Sequence, residues 1–218
     1  MPTLAPEAPL SVLLREGTRA EHQEAESEGF VSRLMSGDLD VAAYADLAAQ
    51  QLSVYTALEE ASAVVRHDAR GASLVFDELT RVPAIERDLA HLYGPGWRSE
   101  IRVLPATRAY VARLHDVGSR LAEYAAHAYT RYLGDLSGGQ IVQRMMQRHY
   151  GMGAAGLEFY DFPEIPKAKR FKDLYRERLD GLDLDDAETA TAVAEAQEAF
   201  RLNRAVFAEL GESHPGPA

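Results

Sequence analysis

Apolar positions recur at three- and four-residue intervals along most of this chain, and the period-two alternation that strands require is essentially absent. The pattern predicts an all-α fold of about seven or eight helices. Ser11 to Glu28 opens on Val12, Leu13 and Leu14 and then turns polar. Asp40 is placed to cap a long helix through VAAYADLAAQQLSVYTALEEASAVV. Another helix starts around Pro83 and stops at Gly94, where GPGW reads as a turn. Pro105 opens a helix that ends near Gly118. Leu121 to Tyr150 is one long helical pattern with glycines inside it, and Gly151 to Pro166 is an irregular, aromatic-rich connection. Lys167 to Leu179 forms a basic helix. Asp185 caps a last helix to about Leu210, with Gly211 as its stop. No internal repeat or shift of composition divides the chain. The expectation is one domain over residues 11–211, a single-domain helical bundle with flexible tails at 1–10 and 212–218.

Composition narrows the chemistry. The 218 residues suit one domain with a sizeable core. The absence of cysteine removes disulfides, thiolate metal sites and thiol nucleophiles. A formal net charge of −11 argues against nucleic acid as a partner. Charged or amide side chains interrupt every apolar stretch, so none reaches the roughly 20 residues of a membrane span. MPTLAPEAPL lacks the basic and apolar regions of a secretory signal, and GESHPGPA is a polar tail. These features predict a cytoplasmic protein with no membrane anchor.

The segment YTRYLGDLSGGQIVQRMMQ departs from its surroundings. Its flanks favour helix, yet Gly134, Gly138 and Gly139 lie inside it. Each interior glycine costs about 1 kcal/mol relative to alanine. Gly134 and Gly138 are four apart and share one face. Bare backbone there suits either a flat ligand or a close helix–helix crossing, and spacing alone does not choose between them. Asp135, by its spacing, reads as an i−4 partner of Arg131 on a helix surface.

His22 is the second feature. A lone helical histidine is usually a surface or satisfied core residue. Here Glu26, four residues on, is placed to accept from the other ring nitrogen, as partners of metal-bound imidazoles do. Arg15 and Arg19 put positive charge one to two turns back. An imidazole with nearby cations suits a metal held in an anionic cofactor, and heme fits that description. Lys172 and Arg176 give the basic helix one cationic face, which is otherwise a solvated surface balanced by Asp173, Glu177 and Asp180. The other six histidines show no metal-cluster spacing, and the stripe Tyr124, Tyr132, Phe159, Tyr160 and Phe162 reads as core or pocket wall.

HAYTRYLGDLSGGQ (His127 to Gln140) resembles the signature of heme oxygenases, of the soluble bacterial, biliverdin-producing type. The similarity runs on through LREGTRAEHQEAE, LYGPGW, LPATRAYVARLHDVG, RFKDLYRERLD and EAFRLNRAVFAEL, in order. The resemblance implies an all-α fold with heme between a proximal and a kinked distal helix. It makes His22 the iron ligand and Gly134 and Gly138 the distal glycines over the ring. Asp135 would hold a proton-delivering water, in a network with Tyr55, Arg131 and Asn203. Arg15, Tyr129, Lys172 and Arg176 would clamp the propionates. Heme would be both substrate and oxygen-activating cofactor, opened by molecular oxygen, at the α-meso carbon, to biliverdin, carbon monoxide and ferrous iron. The electrons would come from an external donor, a ferredoxin or flavin-type reductase, since the chain shows no GxGxxG fingerprint after a strand. The alternative is a non-catalytic heme carrier or sensor, which would need His22 and the clamp but not the Asp135 network. A thiaminase-like enzyme would need a cysteine, and a ferritin-like di-iron enzyme would need Glu-x-x-His pairs; the chain has neither.

Overall fold

The structure is a computed structural model that describes residues 8–26 and 29–215, apart from the side chain of Glu26. Its elements are α1 (Leu10–Gly17), α2 (Arg19–Glu26), α3 (Gly29–Ser36), α4 (Val41–Val65), α5 (Val82–Tyr93), α6 (Trp97–Glu100), α7 (Pro105–Val117), α8 (Leu121–Gly134), α9 (Gln140–Tyr150), α10 (Ala168–Asp180) and α11 (Asp186–Ser213). Short 3-10 turns and one π turn join them, and no strand occurs among the described residues. The all-α expectation holds.

The long helices α4, α8 and α11 form the frame. α11 packs on α8 and α7, and α4 on α5, α7 and α8. The core between them is rich in tyrosine: Tyr44, Tyr55, Tyr110, Tyr124 and Tyr175 are fully buried. The Tyr55 hydroxyl bonds Asp135 and that of Tyr124 pairs with Ser62, whereas those of Tyr44, Tyr110 and Tyr175 have no partner among the described residues. One ion-paired group lies in the α8–α11 seam. Glu195 accepts from Arg113 Nε and contacts His127 Nε2, both at 2.9 Å. Burial pushes the Glu195 carboxyl up, but His127 and Arg113 outweigh it and hold it down at about 2.

Helix ends follow local chemistry. Asp40 accepts from the Ala43 amide, and Asp185 with Glu188 forms a full capping box. Four features differ from the sequence pattern. The first amphipathic stretch is broken at Thr18, whose hydroxyl donates to the Leu14 carbonyl at 2.8 Å. The freed Gly17 carbonyl is taken by Gln197 Nε2 of α11 at 2.7 Å, and a Cβ on Gly17 would lie 2.7 Å from Val193. α2 starts afresh after Thr18, and His22 lies on it. α3 was not anticipated; Phe30 and Leu34 bury its inner face between Gly29 and Gly37. Gly211 does not stop α11, because Arg33 of α3 donates to the carbonyls of Gly211 and His214 and satisfies the helix end. Trp97, read as part of a turn, instead starts the single-turn α6.

α8 continues into α9 through the π turn Asp135–Gly139. Where a kinked distal helix was expected, the described backbone carries a π turn. One extra residue per turn widens the helix and loosens its backbone, a feature that concentrates at functional sites.

Candidate functional site

Beneath that turn lies a cavity of about 830 Å³, within the size range of sites for small molecules and cofactors. α1 and α2 supply one wall through Arg15, Thr18, Arg19, His22 and Gln23. α8, the π turn and the start of α9 supply another, from Tyr129 to Val142. α11 closes the space with Phe200, Asn203 and Phe207, and α10 sends in Arg176.

The glycines separate into two kinds. A Cβ on Gly134 or Gly138 would meet nothing within 4 Å, so both face the cavity and neither serves a helix crossing. A Cβ on Gly139 would lie 2.9 Å from Tyr160 Cδ1, so this glycine admits a protein side chain. Two of the three glycines therefore open onto the cavity. The consequence for stability is testable. Gly139→Ala should cost about 1–3 kcal/mol through overpacking. Gly134→Ala should be neutral or stabilise by up to about 1 kcal/mol in the protein without ligand, because its backbone is ordinary α-helix at φ −61° and ψ −50°. Thermal melts of the two variants should therefore move in opposite directions or by clearly different amounts.

The charged groups divide by place. Arg15 and Arg176 sit near the cavity mouth beside Tyr129. Burial raises the Tyr129 phenol, and Arg176 and Arg15 pull it back. Arg15 also contacts Glu16 at 3.1 Å, and Arg176 contacts Asp173 at 3.1 Å; both pairs are exposed and easily exchanged for another anion. Lys172, grouped with these in sequence, is absent from the described lining; its Nζ donates to Ser137 Oγ at 2.9 Å. Deeper in, Arg131 Nη1 donates to Asn203 Oδ1 at 2.6 Å, and its guanidinium lies 4.9 Å from the centre of the Tyr55 ring. Asp135 does not form the surface ion pair with Arg131. It accepts from the Tyr55 hydroxyl instead. Burial pushes the Asp135 carboxyl up to about 6, against Arg131, the Tyr55 hydroxyl and Arg81, which all favour its charge. Tyr55 reaches the cavity only through this bond, since it does not line it.

His22 lines the cavity with its ring edge-on to Phe200, centroids 5.7 Å apart. Glu26 ends α2, and its side chain lies outside the described residues. Thr130 Oγ1 and Arg131 Nε line the same space, buried and without a partner among the described residues. The sequence reading missed Thr130, Phe200 and Phe207, whose only signal was helical spacing from Gly134 and Asn203.

The set of groups describes the ligand. Among the described lining residues four arginines meet a single carboxylate, Asp135. An imidazole faces the same space, and bare backbone forms part of its boundary. A flat anion carrying a metal would satisfy all three features.

The heme oxygenase family model matches residues 8–209. The chain belongs to the heme oxygenase family. It is 39% identical over 202 residues to heme oxygenase 1 of Synechocystis sp., covering 92% of this chain and 84% of that protein. It is 40% identical over 207 residues to human heme oxygenase 1, covering 93% and 72%. The crystal structure of the Synechocystis heme oxygenase-1 in complex with heme superposes with a TM-score of 0.90 at 37% identity, covering 94% of each chain. The heme oxygenase from Leptospira interrogans superposes with a TM-score of 0.88 at 36% identity, covering 93% of this chain and 100% of that one. Among the described residues no helix is long and apolar enough to cross a membrane.

Proposed function

We infer that this protein binds heme in the cavity beneath the π turn and cleaves it oxidatively to biliverdin, carbon monoxide and ferrous iron. Family membership supports the activity. The observation that carries the site is the pair Gly134 and Gly138, whose missing side chains open onto the cavity rather than onto protein. The residues present fit the group. His22 would ligate the iron, Arg15, Tyr129 and Arg176 would hold the propionates, and Gly134 and Gly138 would lie over the ring. Glu26 belongs to this reading as the partner that orients His22. When bound, heme supplies both the oxygen-activating iron and the carbon skeleton that is opened.

The protein's own work is placement and proton handling. The clamp would fix the ring's rotation and so select which meso carbon reacts; we assign the α-meso carbon. The glycines keep the ceiling low, which restricts how a small molecule bound on that side can lean. Asp135 holds a water at its cavity-facing side, and Tyr55 anchors the carboxylate from behind. Arg131, held by Asn203, favours the charged form of that carboxylate against its burial. Lys172 donates to Ser137 and would be available to a propionate if it released that hydroxyl. The network separates an oxygenase from a carrier, which has no use for a buried carboxylate beside the ligand.

Electrons must arrive from outside, and we assign them to a ferredoxin or a flavin-type reductase in the cytoplasm. The arginines at the mouth would draw both an anionic ligand and an acidic donor to a protein whose net charge is −11.

Charge reversal tests the clamp and the regiochemistry together. Arg15→Glu combined with Arg176→Glu should weaken hemin binding by about 10²-fold or more, since two attractions become repulsions. Hemin titration followed by chromatography of the bilin product reads both quantities. Wild type should give one α isomer and the double variant a mixture. Unchanged affinity with a single unchanged isomer would remove these arginines from the site.

A further inference from the structure

The segment Leu157–Phe162 makes one 3-10 turn, and side chains from three other places in the chain hold the backbone groups that the turn leaves over. Asp88 of α5, fully buried, accepts from the amides of Glu158 and Phe159, one to each carboxylate oxygen, both at 2.8 Å. Arg81, also buried, donates to the carbonyls of Phe159 at 3.2 Å and Asp161 at 2.6 Å. Gln140, the first residue of α9, donates to the Tyr160 carbonyl at 2.7 Å. A buried carboxylate left charged is expensive, so its two amide bonds must be well formed to keep it.

This segment carries the two rings that support the distal wall. Phe159 packs edge-on against Tyr55, centroids 5.3 Å apart, and Tyr55 holds Asp135. Tyr160 fills the space left by Gly139 and so backs the π turn that bears Asp135. Asp88 lines no part of the cavity. We propose that Asp88 is a positioning residue of the distal site: its carboxylate pins Glu158 and Phe159, and through the Phe159 and Tyr160 rings it fixes both the Tyr55 hydroxyl and the π turn around Asp135. The inference rests on the heme-cleavage reading for its effect on turnover, but its structural part does not.

The test uses Asp88→Asn and Asp88→Ala. Asparagine keeps one acceptor while removing the charge; alanine removes both. In protein without hemin, amide exchange at Glu158 and Phe159 should quicken by about 10–100-fold in the alanine variant, the loss expected for charge-assisted bonds. The titration midpoint of Asp135, followed by carboxyl-carbon NMR, should fall in the alanine variant as the wall loosens and water enters. In the asparagine variant it should fall clearly less. With hemin and reductant, the alanine variant should lose about 10-fold or more in kcat while hemin affinity stays within about twofold. If alanine at this position prevents folding, amide exchange in Asp88→Asn decides: quickening at Glu158 and Phe159 is expected, and unchanged exchange there overturns the proposal. An unchanged Asp135 midpoint overturns the proposal whatever happens to thermal stability. So does an equal fall in both variants, which would trace the effect to lost charge alone. Absence of turnover in the wild-type protein would instead overturn the heme-cleavage reading and leave the exchange and titration results to stand or fall by themselves.

Discussion

Asp135→Ala is expected to lower biliverdin formation by about 10²–10⁴-fold, the usual loss for a positioned proton-transfer group, while hemin still binds with near wild-type affinity. Both halves follow from its position. Asp135 lies on the π turn, holds the Tyr55 hydroxyl and lines the cavity, but it is neither the imidazole nor part of the cationic mouth. Removing it frees the water that the carboxylate would hold and leaves the ring's anchors intact. With proton delivery misdirected, added hydrogen peroxide should be spent on peroxidase-type oxidation of a phenol such as guaiacol. The reading is a bilin absorbance beside a guaiacol assay on the same samples. Near-normal bilin formation would return Asp135 to a structural role. A stability effect accompanies this. The folded carboxyl titrates near 6, above the ordinary 3.8, so the wild-type protein loses stability as pH rises through that window. Asp135→Asn cannot charge, so it should gain stability over wild type at pH 8 and little at pH 4. Melting curves at the two pH values check the sign.

His22→Ala carries the other large effect. Hemin should still enter, because Arg15, Arg176, Tyr129 and the apolar walls remain. The native iron–imidazole bond should be lost from the spectrum, and turnover should fall by about 10²-fold or more, since the axial ligand sets the electronic state of the iron. Added imidazole should restore part of both, because removal of the side chain leaves a ring-sized space beside Phe200. A variant that keeps the wild-type spectrum and rate would show that the ligand lies elsewhere.

The fold was legible where periodicity was strong and caps were chemical. Asp40 and Asp185 mark their helices from the sequence alone and cap them in the structure. The break at Thr18 was not legible, because it depends on Gln197 and Val193, which reach Gly17 from the far end of the chain. The same holds for Gly211, which lies inside α11 because Arg33 satisfies its carbonyls. α3 could have been found from the pairing of Phe30 with Leu34 between two glycines. In the site, spacing joined Gly134 to Gly138, but only space tells them from Gly139, since the deciding neighbour Tyr160 sits in an irregular segment. Lys172 and Arg176 share a helix face in sequence, yet one turn of helix separates a cavity group from a rim group that bonds Ser137. Helical spacing gives faces. It does not give depth, and depth decides which polar groups meet a ligand.

The most direct measurement is a single turnover. The protein is loaded with one equivalent of hemin, given a reductase system and oxygen, and sampled for bilin absorbance and for carbon monoxide trapped by a ferrous globin. Heme cleavage in this cavity predicts loss of the heme band with one bilin and one carbon monoxide formed per hemin, and no such yield from Asp135→Ala. A heme band that persists through reduction and oxygenation, with neither product released, would contradict the account and leave a protein that only carries heme.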